Sequence, residues 1–159
     1  MARLKNLSPN MAAFLDMIAV SEIGTALLAK SDDGYDVIVG STPAKPILFT
    51  SYTSHPRQYQ KAQNSDAAGR YQFMGRYWEH YRGQLAIPDF GPVSQDHWAI
   101  QLIRECRAVP LIEAGDFDRA VAACKSRWAS FPAAGYGQHE NSLNSLRVAY
   151  KSAGGTLIG

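Results

Sequence analysis

The segment from Ser8 to Gly24 constrains this chain more than any other. Ser8 suits a helix cap with Pro9 at the first helical position. Met11, Phe14, Leu15 and Ile18 then fall at the spacing of one helical face. Gly24 predicts a stop just after Glu22. The stretch falls short of the roughly 18 apolar residues that a membrane span needs. Asp16 interrupts it and Ser21-Glu22 closes it, so it does not read as a secretory signal. The expectation is a helix of the mature fold, with no membrane insertion, in a protein made in the cytoplasm that needs another factor to let it out.

Downstream, Tyr35–Val39 is rich in strand formers and is followed by the turn region Gly40–Pro46 and then Ile47–Phe49. That pattern predicts a β-hairpin with a longish loop. Residues 50–66 have no clean period. A helix is expected from Ala67, with Phe73, Met74, Tyr77, Trp78 and Tyr81 on one face and Gly83 and Pro88 closing it. A further helix runs from Ser94 to Pro110, then a short turn at 111–115. Asp116 is placed to cap a helix carrying Phe117, Ala120, Val121, Cys124 and Trp128. A last helix carries Leu143, Leu146 and Tyr150 and ends at Gly154-Gly155. With neither repeat nor linker, residues 1–159 read as one α+β domain, mostly helical with one small hairpin.

The chain of 159 residues is 46% hydrophobic and 19% charged, an ordinary globular mix. A net charge of +2 falls short of a nucleic-acid footprint, and the basic residues do not cluster in one run. Cys106 and Cys124 lie far apart in helical patterns and read as buried thiols. His55, His80, His97 and His139 show no metal-ligand spacing, so no metal and no cofactor is expected. Nucleotide-binding glycine loops and the serine-nucleophile elbow are both absent.

Carboxylates remain. Glu22 ends an otherwise apolar helix, where the helix dipole and burial would both raise its pKa and suit it to act as a general acid. A hydrogen bond to the ionised form would oppose this, and pattern alone favours an ordinary exposed glutamate at a helix end. Asp32 and Asp33 read as turn residues. Asp36 follows in the hairpin, giving the layout of a two-carboxylate glycosidase. Tyr52, Tyr59, Tyr71, Gln72, Tyr136 and Gln138 supply the aromatic faces and amides that sugars need. His55 and His139 lie in loops within reach of a ligand, and Tyr136 stands between two glycines that suggest unusual dihedrals.

Five blocks in this order resemble the lambdoid phage endolysins: AFLDMIAVSE ending at Glu22, GYDVIVG at 34–40, LFTSYTSHPR at 48–57, AAGRYQF at 67–73 and WASFPAAGYGQ at 128–138. The chain departs from that family in a more apolar segment after Glu22 and a longer hairpin turn. The resemblance implies a lysozyme-like fold, with the hairpin as one lip of a cleft. It implies a lytic transglycosylase that cuts peptidoglycan glycan strands between N-acetylmuramic acid and N-acetylglucosamine. Glu22 would serve as acid and then base, with Ser21, Asp36, Tyr52, His55, Gln72, Tyr136 and Gln138 binding the glycan. The missing secretory signal predicts a chain held in the host cytoplasm until a holin releases it to the periplasm and cell wall, and a monomer is the default expectation. The competing expectations are a hydrolytic muramidase using Glu22 and Asp36, and a non-catalytic glycan-binding protein.

Overall fold

In the computed structural model, which describes residues 1–137 and 139–158, the first helix follows from its ends inward. Ser8 Oγ accepts from the Met11 N–H at 3.0 Å, and helix α1 runs Pro9–Ile23. Gly24, at φ +83°, closes it by donating to Val20 O at 2.9 Å. A residue with a Cβ resists that left-handed geometry. The expected single apolar face is too modest a description. Every residue from Asn10 to Ala19 except Ala12 is buried, as for a helix enclosed on all sides. Helix α1 packs against α2 (Thr25–Ala29), α5 (Val109–Glu113) and α7 (Leu143–Ser152).

The remaining elements are α3 (Trp78–Leu85), α4 (Pro92–Glu105) and α6 (Phe117–Cys124), with single 3-10 turns at Lys61–Gln63 and Gly75–Tyr77. The expected turn at 111–115 is largely helix α5, and α6 ends four residues before Trp128. Both cysteines are free; Cys124 is buried and Cys106 half-buried. One contiguous core runs through α1 and α3 to α7. Around α1, Phe14 meets Phe117, Phe131 and Tyr150 edge-on at 6.2–6.5 Å. Further along, Phe73 stacks flat on Trp98 at 4.0 Å, with Trp78 and Phe90 closing around them. No helix among the described residues is long and apolar enough to cross a membrane.

The expected β-hairpin is not formed. The described residues contain isolated bridges, Val37 to Leu48 among them, and no strand. The two segments do lie antiparallel: Ile38 N–H donates to Ile47 O, and Phe49 N–H to Asp36 O, each at 2.9 Å. The ladder stops there because its next groups are engaged elsewhere. Val39 N–H donates to Ala67 O at 2.9 Å, and Ser41 Oγ both accepts from Ile47 N–H at 2.7 Å and donates to Ile47 O at 2.8 Å. Pro46 has no N–H to offer.

The helix expected from Ala67 is also corrected. Residues 67–74 form a tight turn in which Ala68 and Phe73 exchange two hydrogen bonds, at 3.0 and 2.9 Å. Gly69 at φ +85° and Gln72 at φ +53° are both left-handed, which no helix tolerates. Buried Gln95 of α4 holds this turn, accepting from Arg70 N–H at 2.9 Å and donating to Phe90 O at 2.8 Å and Tyr35 O at 3.0 Å. Arg70 reaches into the core, where its guanidinium pairs with Asp16 of α1 at 2.9 Å. Asp96 gathers the Tyr35 and Tyr71 hydroxyls and the main-chain N–H groups of Arg3 and Leu4. These buried charges are fully partnered, the condition under which they can be retained at all. They brace the turn that forms one wall of a cleft.

Candidate active site

The C-terminal end of α1 opens into a cleft of about 780 Å³. One wall comes from Val37–Ser41, Ala62–Ser65 and the 71–77 turn; the other comes from Ser126–Ala129, Tyr136 and His139. Tyr71 O accepts from Trp128 Nε1 at 3.2 Å, which ties the walls together at the base. Glu22 lines the cleft beside Ile23, and it is the single carboxylate among the described lining residues. Arg76, Arg127, His139 and Tyr71, Tyr77, Tyr81 and Tyr136 are the other titratable side chains on these walls.

Glu22 keeps part of its surface open to solvent, yet protein surrounds its carboxyl group closely. Burial pushes its pKa from 4.5 up to about 7. Ser130 pulls the other way, since its hydroxyl donates to Glu22 Oε1 at 2.6 Å and its main-chain N–H also favours the ionised form. Burial dominates, so a large share of the molecules carry a protonated Glu22 near neutral pH. That is the state required of a general acid. The same group, once ionised, is basic enough to take a proton back.

Of the expected glycan contacts, Asp36, Tyr52 and His55 lie behind the cleft wall. Asp36 is outside the cleft lining, and its Oδ1 accepts from Asp32 N–H at 2.9 Å. The Tyr52 hydroxyl donates to Asp32 Oδ2 at 2.6 Å; Asp32 also pairs with Arg3, which holds its carboxyl below the usual range. His55 is 3% exposed. Its Nδ1 accepts from Arg57 N–H at 3.0 Å, so its Nε2 carries the proton donated to Phe73 O at 2.7 Å. Burial depresses the His55 pKa, which suits this neutral tautomer. These side chains hold the cleft wall from behind.

Gln72 and Tyr136 do line the cleft. Gln72 Nε2 donates to Gly69 O at 2.8 Å, which fixes the amide at the wall. Tyr136 is 55% exposed, and its hydroxyl donates to Ser126 O at 2.6 Å. Its neighbours Gly135 and Gly137 stand at φ +80° and +70°, the unusual dihedrals that the flanking glycines suggested. Gln138 lies outside the described residues. Ser21 is turned from the cleft toward Ser130 and Asn141.

Sequence reasoning passed over Ser130, Asn141, Arg76, Tyr77 and Arg127. Ser130 lies inside a block already singled out, but a lone serine there carries no signal. Asn141 meets Ser21 across 120 residues of chain, which no local pattern reveals.

Residues 12–157 match the family model described as Endolysin. The endolysin of Escherichia phage P2 is 50% identical, over 94% of this chain and 96% of that protein. The endolysin of Escherichia phage lambda is 47% identical, over 91% of each. The bacteriophage lambda lysozyme complexed with a chitohexasaccharide superposes with a TM-score of 0.88 at 43% identity, covering 98% of this chain and 100% of that one. A second structure of lysozyme from bacteriophage lambda gives 0.82 at 42% identity, with the same coverage. The fold is therefore lysozyme-like and mostly helical, as expected, with bridged extended segments where the hairpin was anticipated. With this agreement across nearly its whole length, the chain belongs to the endolysin family.

Proposed function

We propose that this chain is a peptidoglycan-cleaving enzyme of the lytic transglycosylase type, with Glu22 as its one acid and base. The observation that carries this reading is the solitary carboxylate among the described lining residues. A glycosidase that works through water ordinarily sets two carboxyl groups astride the bond, about 5–5.5 Å apart for retention or about 6.5–9.5 Å for inversion. Asp36, the alternative second group, is hydrogen-bonded to the main chain outside the cleft. A relative of the same fold, complexed with a chitohexasaccharide, supports a β-linked amino-sugar chain as the occupant.

The reaction needs one proton in each direction. Protonated Glu22 donates to the glycosidic oxygen, the bond to the muramic C1 breaks, and the N-acetylglucosamine end leaves as an alcohol. The muramic 6-hydroxyl then attacks C1 and gives its proton to the Glu22 carboxylate. A 1,6-anhydro ring forms, Glu22 ends as it began, and no water is consumed. Because the nucleophile is part of the same sugar, its translational entropy is already lost on binding. A pKa near 7 suits both half-steps. Gln72 and Tyr136 are assigned to glycan binding in the cleft, and Gln138 on the family resemblance of the 128–138 block alone.

Release to the wall through a separate holin belongs to the same proposal. Lysis on expression without any such partner would contradict it. The enzymatic test is mass spectrometry of muropeptides from purified peptidoglycan. The expected products are lighter by one water than hydrolysis products, and Glu22→Gln releases none. Ordinary reducing ends would overturn the transglycosylase reading and return Asp36 to consideration. No release by the wild-type chain would favour a glycan-binding protein.

A further inference from the structure

Asn141, just before α7, reaches back to the end of α1. Its Nδ2 lies 3.1 Å from Ser21 O and 3.0 Å from Ser21 Oγ. A carbonyl oxygen only accepts, so the atom facing it is the amide nitrogen, which only donates. Ser21 Oγ is therefore an acceptor toward Asn141, and its own proton needs another destination. Ser130 Oγ, 2.7 Å away, is the one described partner that can take it. Ser130 in turn has one hydroxyl proton, and Glu22 Oε1 lies 2.6 Å from it. All the contacts are satisfied by a single direction, from Asn141 through Ser21 and Ser130 to Glu22.

The other carboxyl oxygen is differently placed. Among the described residues Glu22 Oε2 accepts no side-chain hydrogen bond, while the Ser130 main-chain N–H also faces the carboxyl group. Glu22 lines the cleft, and Oε2 is its oxygen not engaged by the Ser130 hydroxyl.

We propose that Asn141, Ser21 and Ser130 form a one-way donor chain that fixes Glu22 Oε1 as an acceptor and confines the catalytic proton to Oε2. The proposal rests on Glu22 being the acid and adds where its proton resides. The proton leaves Oε2 for the glycosidic oxygen and returns to Oε2 from the 6-hydroxyl, with Oε1 held throughout by Ser130. The three are positioning residues: they act on the glycan only through Glu22. Ser21, expected from the family resemblance to bind glycan, takes this role instead.

Asn141→Asp tests the direction. A carboxylate at that position accepts from Ser21, draws its proton away from Ser130 and reverses the chain. Ser130 then no longer needs to donate to Glu22, and the ionised form of Glu22 loses its support. The readout is an NMR titration of isotope-labelled glutamate carboxyl carbons, with Glu22 assigned by the signal missing in Glu22→Gln. The pH profile of kcat/KM on purified peptidoglycan is measured alongside. Arg76, Arg127, His139 and the cleft tyrosines are unchanged in every variant, and Ser130→Ala and Ser21→Ala add no charge, so a shift in these two belongs to the chain, whereas Asn141→Asp also brings a carboxylate that repels ionised Glu22.

Loss of one charge-assisted donor is expected to move the Glu22 titration up by about one pH unit in Ser130→Ala, and by at least as much in Asn141→Asp. Ser130→Thr, which keeps the hydroxyl, is expected to restore the wild-type value. If Asn141→Asp does not fold, Ser21→Ala supplies the second measurement, with a smaller shift of the same sign. Titration at the wild-type pH in all these variants would overturn the donor chain. Full activity in Glu22→Gln would overturn the acid assignment separately, because the NMR titration reads the chain without catalysis.

Discussion

Replacing Glu22 with Gln should make the protein more stable while removing its activity, and the gain should depend on pH. Burial raises the Glu22 pKa from 4.5 to about 7. Between those values the native state binds more protons than the unfolded chain, so stability falls as pH rises. The loss is complete above about pH 7 and is absent below about pH 4.5. Converted at 1.36 kcal/mol per pH unit, the full displacement is worth about 3 kcal/mol. Solvent reaching the cleft side of the carboxyl screens part of it, which leaves between about 1 and 3 kcal/mol. Gln has nearly the same shape and can still accept the Ser130 hydroxyl at Oε1, but it never carries the charge. The expected result is near-equal melting temperatures at pH 4.5, with Glu22→Gln higher by about 3–10 °C at pH 8 for a domain of this size. Calorimetry of both proteins at the two pH values is the assay. A constant difference, or a less stable Glu22→Gln at pH 8, would refute the idea that burial dominates at this carboxyl.

Other consequences are as direct. Since Glu22 must be protonated to act, kcat/KM should fall about tenfold per pH unit above pH 7, with the break near the Glu22 pKa. Arg70→Met should cost about 3–5 kcal/mol by denaturant titration, because it leaves Asp16 without its guanidinium partner in the core. His55→Ala should cost about 1–3 kcal/mol, because the Arg57 N–H loses its acceptor and the Phe73 carbonyl keeps only its bond from Ala68 N–H, and it should lower activity only as far as the 67–74 turn loosens.

The parts of the fold that sequence disclosed are those whose signals are local. Ser8, Pro9 and Gly24 mark both ends of α1, and Glu22 is placed by the last of its turns. Tyr35–Val39 and Ile47–Phe49 have strand composition and do lie antiparallel, but strand composition does not reveal where each N–H goes. Val39 turns to Ala67, and Ser41 takes both main-chain groups of Ile47. The 67–73 segment has helical spacing, yet Gln72 sits at φ +53°, a conformation that only its tertiary setting, with Gln95 behind the turn, imposes.

Site residues divide in the same way. Glu22, Gln72 and Tyr136 stand in segments that end at the cleft. Tyr52 and His55 look equally like ligand contacts in sequence, because a loop pattern cannot say which side chains turn inward. In the fold they are engaged by Asp32 and Phe73. Ser130 and Asn141 join Glu22 and Ser21 only through contacts between distant parts of the chain.

The central claim is that a single carboxylate, Glu22, cuts the glycan without water. Digestion of purified peptidoglycan in water enriched in heavy oxygen tests it most directly. The expected result is anhydro-muramic ends with no heavy oxygen incorporated at the cut, and no cutting by Glu22→Gln. One heavy oxygen at each new reducing end would contradict it and require a second group in the cleft to activate water.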